Sequence, residues 1–179
     1  MLSILIVEDE PILAQNLREL IELNPLYAVT AIAEDSMSAY AAIAERRPDL
    51  ALVDLQLAHG STGFSVAARL AEMDIPCLFT SGNAPSFPIP DLAFGCLVKP
   101  YSEEDLVRAL KAAEDLIRGR ERLRPSRPEN LRLYAEESAA AEIAAPALLP
   151  VSESSTARRR LSDRIARFWR QLLRRRSYS

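Results

Sequence analysis

The chain has 179 residues, 49% of them apolar, and 22 Lys and Arg against 25 Asp and Glu give a formal charge of −3. That is enough apolar material for one sizeable core plus an appendage. No apolar run is long enough to cross a bilayer, and Leu2–Val7 breaks at once into Glu8-Asp9-Glu10 instead of continuing as a secretion signal, so a cytoplasmic protein is expected.

The charge is unevenly spread. Residues 1–119 hold 8 Lys and Arg against 18 Asp and Glu, whereas residues 120–179 hold 14 Arg against 7 acidic residues. The two parts are therefore expected to meet different partners. Cys77 and Cys96 lie in apolar runs without metal-ligand spacing, which suits reduced core thiols.

Five short apolar runs follow one another: Ile4–Val7, Tyr27–Ala33, Leu50–Val53, Cys77–Phe79 and Phe94–Val98. Their Ile, Val, Leu and Phe content suits parallel strands covered on both faces. Helical spacing separates them, with Leu13, Leu17, Leu20 and Ile21 in the first such segment and Phe64, Ala67, Leu70 and Ala71 in the third. Leu106, Leu110, Ala113 and Ile117 mark the last, over residues 102–118, which opens on the capping box Ser102-Glu103-Glu104-Asp105. Pro11 suits a first helical turn, and Pro25 and Pro48 fall where helices end. Pro85, Pro88 and Pro90 crowd the stretch before the fifth strand, so its helix is expected to be weak or absent. The alternation predicts an α/β fold, a doubly wound five-stranded parallel sheet over residues 1–119. A low-complexity flexible linker is expected over 120–157.

Open parallel sheets bind ligands at the carboxyl ends of their strands. That edge should collect Glu8 and Asp9 after the first strand, Asp54 after the third, Thr80 after the fourth and Lys99 after the fifth. Three neighbouring carboxylates repel unless a cation compensates, and an oxygen-only cluster suits Mg²⁺, which keeps waters and accepts phosphate oxygens. Lys99 and Thr80 add a positive charge and a hydroxyl donor for an anionic phosphoryl group. The constellation reads as a phosphoryl-transfer site.

In this order Glu8-Asp9, Asp54, Thr80 and Lys99-Pro100 resemble the response regulator receiver family of two-component signal transduction, as do Ile-Leu-Ile-Val-Glu-Asp-Glu, Ala-Leu-Val-Asp-Leu-Gln-Leu and Gly-Cys-Leu-Val-Lys-Pro-Tyr. The resemblance runs over about residues 1–119. It implies a flavodoxin-like fold, and it implies that Asp54 accepts a phosphoryl group from a histidine kinase or histidine phosphotransfer protein. Glu8, Asp9, Asp54 and the backbone carbonyl of Gln56 would hold Mg²⁺, and Thr80 and Lys99 would contact the phosphoryl oxygens. Such a domain modifies itself and turns over no metabolite.

Two departures bear on regulation. Cys96 stands three residues before Lys99, where these receivers carry a Tyr or Phe that changes rotamer on phosphorylation, and the interval from Thr80 to Lys99 is short. The usual aromatic switching and the usual dimer surface are therefore not expected. His59, the only histidine, lies in the polar loop after Asp54 and reads as a solvated side chain.

Residues 158–176 place Leu161, Ile165, Phe168, Trp169, Leu172 and Leu173 on one helical face and nine Arg elsewhere. A basic amphipathic helix of this kind binds a membrane surface, an acidic protein groove or nucleic acid, unless it stays a solvated extension. An anionic membrane is the first choice. Nucleic acid comes second and is disfavoured, because one Trp and one Phe offer little stacking. No helix-turn-helix or catalytic domain fits residues 120–179, so output is expected through contacts with an unknown downstream protein. Acting as a phosphate sink for a kinase is a variant of the same reading. An aspartyl-phosphate phosphatase would need a second Asp two residues after the nucleophile, where this chain has Gln56, and no Gly-x-Gly-x-x-Gly follows the first strand to bind a dinucleotide.

Overall fold

The computed structural model describes residues 1–57, 60–119 and 128–134. Within them the order is β1 (Leu2–Val7), α1 (Pro11–Glu22), β2 (Tyr27–Ala33), α2 (Ser36–Glu45), β3 (Leu50–Asp54), α3 (Gly63–Glu72), β4 (Cys77–Ser81), β5 (Gly95–Val98), α4 (Glu103–Ile117) and β6 (Leu131–Leu133). One sheet results, ordered β2-β1-β3-β4-β5-β6, and its first five strands are parallel. The expected doubly wound flavodoxin-like fold is present, and the stretch between β4 and β5 contains no helix, as its prolines dictate.

Alternate residues of each strand feed opposite faces. Leu2, Ile4 and Ile6 pack with Leu50, Leu52, Leu78 and Leu97 beneath α1 and α4, whereas Leu5, Val7, Val53, Phe79 and Cys96 pack beneath α2 and α3. The helices are fixed by local chemistry as well as by their apolar stripes. Pro11 opens α1, Asp35 and Ser38 form a capping box on α2, and Thr62 caps α3. Ser102 and Asp105 close the capping box expected on α4, with Asp105 N–H donating to Ser102 Oγ at 3.2 Å and Ser102 N–H to Asp105 Oδ2 at 3.0 Å.

The sheet departs from the expected five strands at one edge. β6 pairs antiparallel with β5 in the register Gly95 to Leu133, Cys96 to Arg132 and Leu97 to Leu131. It comes from the segment expected to be linker, so residues 128–134 belong to the folded domain instead. Leu131 and Leu133 join the core beneath α4, and Tyr134 is fully buried on the opposite face beside Cys96 and Phe79. The strand can approach only because position 95 lacks a side chain. A Cβ there would lie 2.3 Å from the Arg132 carbonyl oxygen. The basic segment 158–176 and His59 lie outside the described residues, and no described helix is long and apolar enough to cross a membrane.

Candidate phosphoryl-acceptor site

The strand order reverses between β1 and β3, and the crevice at such a switch point is where doubly wound sheets bind ligands. Glu8 follows β1 directly, its N–H bound to the Ala33 carbonyl at 2.9 Å, and Asp54 ends β3. Both side chains are nearly enclosed, Glu8 at 3% and Asp54 at 6% exposure. Carboxylates so buried require a counter-charge. Lys99 supplies it from the end of β5, with Nζ 2.5 Å from Asp54 Oδ2 and 3.1 Å from Glu8 Oε2.

The lysine is aimed from its backbone. Its N–H donates to the Ser81 carbonyl at 2.8 Å, and the following Lys99–Pro100 peptide is cis. Asp54 is oriented as well, because the Gln56 N–H donates to Asp54 Oδ1 at 2.9 Å. Thr80 is the register partner of Asp54 on β4 and is buried, and its carbonyl accepts the Leu55 N–H at 3.1 Å.

Electrostatics follow from this enclosure. Burial pushes the Glu8 carboxyl above its ordinary value of 4.5, against the opposing pull of Lys99. Burial works against the Lys99 ammonium too, but hydrogen bonds to Asp54 and Glu8 outweigh it and hold the amine above 10.5. Tyr101, two residues further on, has its phenol pushed up to about 12, chiefly by burial.

Glu8, Asp54 and Lys99 are thus in direct contact, and Thr80 and Gln56 flank them. Asp9 is half-buried beside Glu8, but among the described residues no three acidic, His or Cys side chains converge on one metal position. The donor chemistry still fits a hard divalent cation. It is oxygen-only, and its two enclosed carboxylates share a single ammonium, which leaves the pocket net negative.

One contributor escaped the sequence reading. Gly63, the first residue of α3, lies so close to the chain at Asp54 that a Cβ would sit 2.2 Å from the Asp54 carbonyl oxygen and 2.7 Å from Leu55 Cα. Its N–H donates to the Leu55 carbonyl at 3.2 Å, tying α3 to the end of β3. Its place in a Gly-containing polar loop after Asp54 was the available signal, but a close approach of this kind is not written in spacing.

Comparison with known proteins agrees with the geometry. The family model for the response regulator receiver domain matches residues 4–111. The positive alginate biosynthesis regulatory protein of Pseudomonas aeruginosa is 34% identical over 119 residues, covering 63% of this chain and 47% of that protein. The phosphate regulon transcriptional regulatory protein of the same organism is 33% identical over 118 residues, covering 62% and 50%. The chain therefore spans about half the length of these curated relatives. Among solved structures, a LuxR-family two-component response regulator from Aurantimonas superposes with TM-score 0.58 at 27% identity, covering 80% of this chain and 99% of that one. The signal receiver domain of a modulated diguanylate cyclase from Desulfovibrio desulfuricans gives TM-score 0.54 at 30% identity, covering 63% and 93%. With the carboxylate pair, its lysine and the doubly wound sheet all in place, the chain belongs to the response regulator receiver domain family.

Proposed function

We propose that the chain accepts a phosphoryl group on Asp54 from a histidine kinase or a histidine phosphotransfer protein and signals in the cytoplasm through protein contacts. The observation that carries this reading is the single Lys99 ammonium shared by the buried Asp54 and Glu8 carboxylates at the switch point of the sheet. A carboxylate oxygen of Asp54 attacks phosphorus, the P–N bond to the donor imidazole breaks, and its electron pair returns to the donor nitrogen. Lys99 and Thr80 then contact the phosphoryl oxygens, so that Lys99 exchanges a carboxylate partner for a phosphoryl one.

Mg²⁺ would be held by Glu8, Asp9, Asp54 and the Gln56 carbonyl, where it would neutralise charge on the transferring group. The domain alters itself and releases no product of metabolism, so we do not class it as an enzyme. Residues 158–176 are proposed, from their sequence, to contact an anionic membrane surface.

The test is incubation with Mg²⁺ and acetyl phosphate, followed by mass spectrometry. One acid-stable, base-labile phosphoryl group is expected on Asp54 and none on Asp54→Asn, which keeps the shape but not the nucleophile. No incorporation by the wild-type protein, or equal incorporation by Asp54→Asn, refutes the reading.

A further inference from the structure

We propose that Asn130, nineteen residues beyond the end of the receiver match, is a positioning residue for Lys99 and thereby couples the phosphoryl site to docking of the C-terminal strand β6. The inference rests on Asp54 being the phosphoryl acceptor. Asn130 stands immediately before β6 and grips both neighbours of Lys99. Its carbonyl accepts the Val98 N–H at 2.9 Å, and its Nδ2 lies 3.3 Å from the Val98 carbonyl, 3.4 Å from the Pro100 carbonyl and 3.5 Å from Asp105 Oδ2. Three acceptors face that amide nitrogen, so its orientation is dictated by the donor.

Asn130 Oδ1 is buried with no hydrogen-bond partner among the described residues, so the amide is held through its nitrogen. On the far side of Lys99 the Ser81 carbonyl takes its N–H. The lysine backbone is thus clamped between β4 and Asn130, with the ammonium projecting to Asp54.

The same short segment touches the other side of the site. Arg132 Nη1 donates to the Pro85 carbonyl at 2.8 Å, on the helix-free loop that follows Thr80 and Ser81, and the Tyr134 N–H donates to the Phe94 carbonyl at 3.0 Å. Residues 130–134 therefore hold the backbone on both sides of β5 while Tyr134 fills the core beside Cys96. If docking of this segment sets where Lys99 points, occupancy of the phosphoryl site must in turn change how firmly the segment docks, since coupling is reciprocal.

The probe is beryllofluoride with Mg²⁺, titrated into wild-type protein, Asn130→Ala and Leu133→Ala, with the thermal midpoint of each variant measured in parallel. Asn130→Ala is expected to raise the half-saturating concentration about five- to tenfold, at the lower end of couplings between linked sites. Leu133→Ala, which loosens the strand through its apolar contact but keeps the amide, should shift it less at a comparable loss of midpoint. Unchanged half-saturation in Asn130→Ala, or an equal shift in Leu133→Ala, overturns the assignment. Should Asn130→Ala fail to fold, hydrogen exchange of the wild-type protein decides. Saturation is expected to change protection at the Val98 and Tyr134 amides, and no change there overturns the coupling. Failure of the wild-type protein to bind the probe would instead strike the reading of Asp54 itself.

Discussion

Replacing Lys99 with Met removes the one ammonium that serves both enclosed carboxylates while keeping an unbranched side chain of similar length. Leaving one partner of a buried pair alone costs about 3–5 kcal/mol, and the residual hydration of this site lowers that to about 2–3 kcal/mol, Lys99 itself being 24% exposed. At this chain length about 2–4 °C of midpoint is lost per kcal/mol, so the variant should melt about 4–12 °C below wild type in metal-free buffer at neutral pH. The deficit must depend on pH. Glu8 already titrates above 4.5 through burial, and loss of Lys99 removes an influence that lowers it. A carboxyl raised in the folded state costs nothing where both states are protonated, and its penalty grows as pH rises through the ordinary value. Calorimetric scans of both proteins should therefore converge as the pH is lowered towards 4.5, and Mg²⁺ at neutral pH should return part of the loss by binding the folded state alone. A variant as stable as wild type at neutral pH, or a deficit that does not change with pH, would refute this account of the site.

Asp9→Ala should weaken Mg²⁺ binding, read by isothermal titration calorimetry, more than Lys99→Ala does, because only the former deletes an expected ligand; Lys99→Ala should still permit phosphorylation while impairing its readout. Gly63→Ala drives a methyl into the Asp54 carbonyl, so it should cost about 1–3 kcal/mol by chemical denaturation and slow phosphorylation by acetyl phosphate. Glu114, buried on α4, pairs with Lys111 at 3.1 Å and Arg118 at 2.8 Å and accepts from Tyr27 Oη at 3.2 Å. Burial opposes its charge, but these partners prevail and hold the carboxyl below 4.5. Its stabilisation is thus present above 4.5 and lost as pH falls through the folded value. Glu114→Gln should accordingly cost about 1–3 kcal/mol at neutral pH, with the gap closing in acid unfolding curves.

What could be read from the chain alone was whatever is local or periodic. Continuous apolar runs marked the five parallel strands because such strands are covered on both faces, and Pro11, Ser102 and Asp105 marked helix starts through their own backbone chemistry. Three prolines between β4 and β5 marked the helix there as weak or absent without reference to anything distant. The edge rule for parallel sheets then brought Glu8, Asp54, Thr80 and Lys99 to one end before any distance was known.

Tertiary structure decided the rest, because it depended on which surfaces meet. Leu131-Arg132-Leu133 is too short to show a period and lies in an Arg- and Pro-rich stretch, so nothing local announces β6. It exists because the open edge of β5 offers unpaired backbone groups, Gly95 allows close approach, and a core beside Cys96 has room for Tyr134. Likewise the sequence placed three carboxylates together, yet only the fold shows Lys99 bridging Glu8 and Asp54. Local pattern fixes what a segment can form. The partner it forms with is set by burial and close approach between residues far apart in the chain, which no spacing encodes.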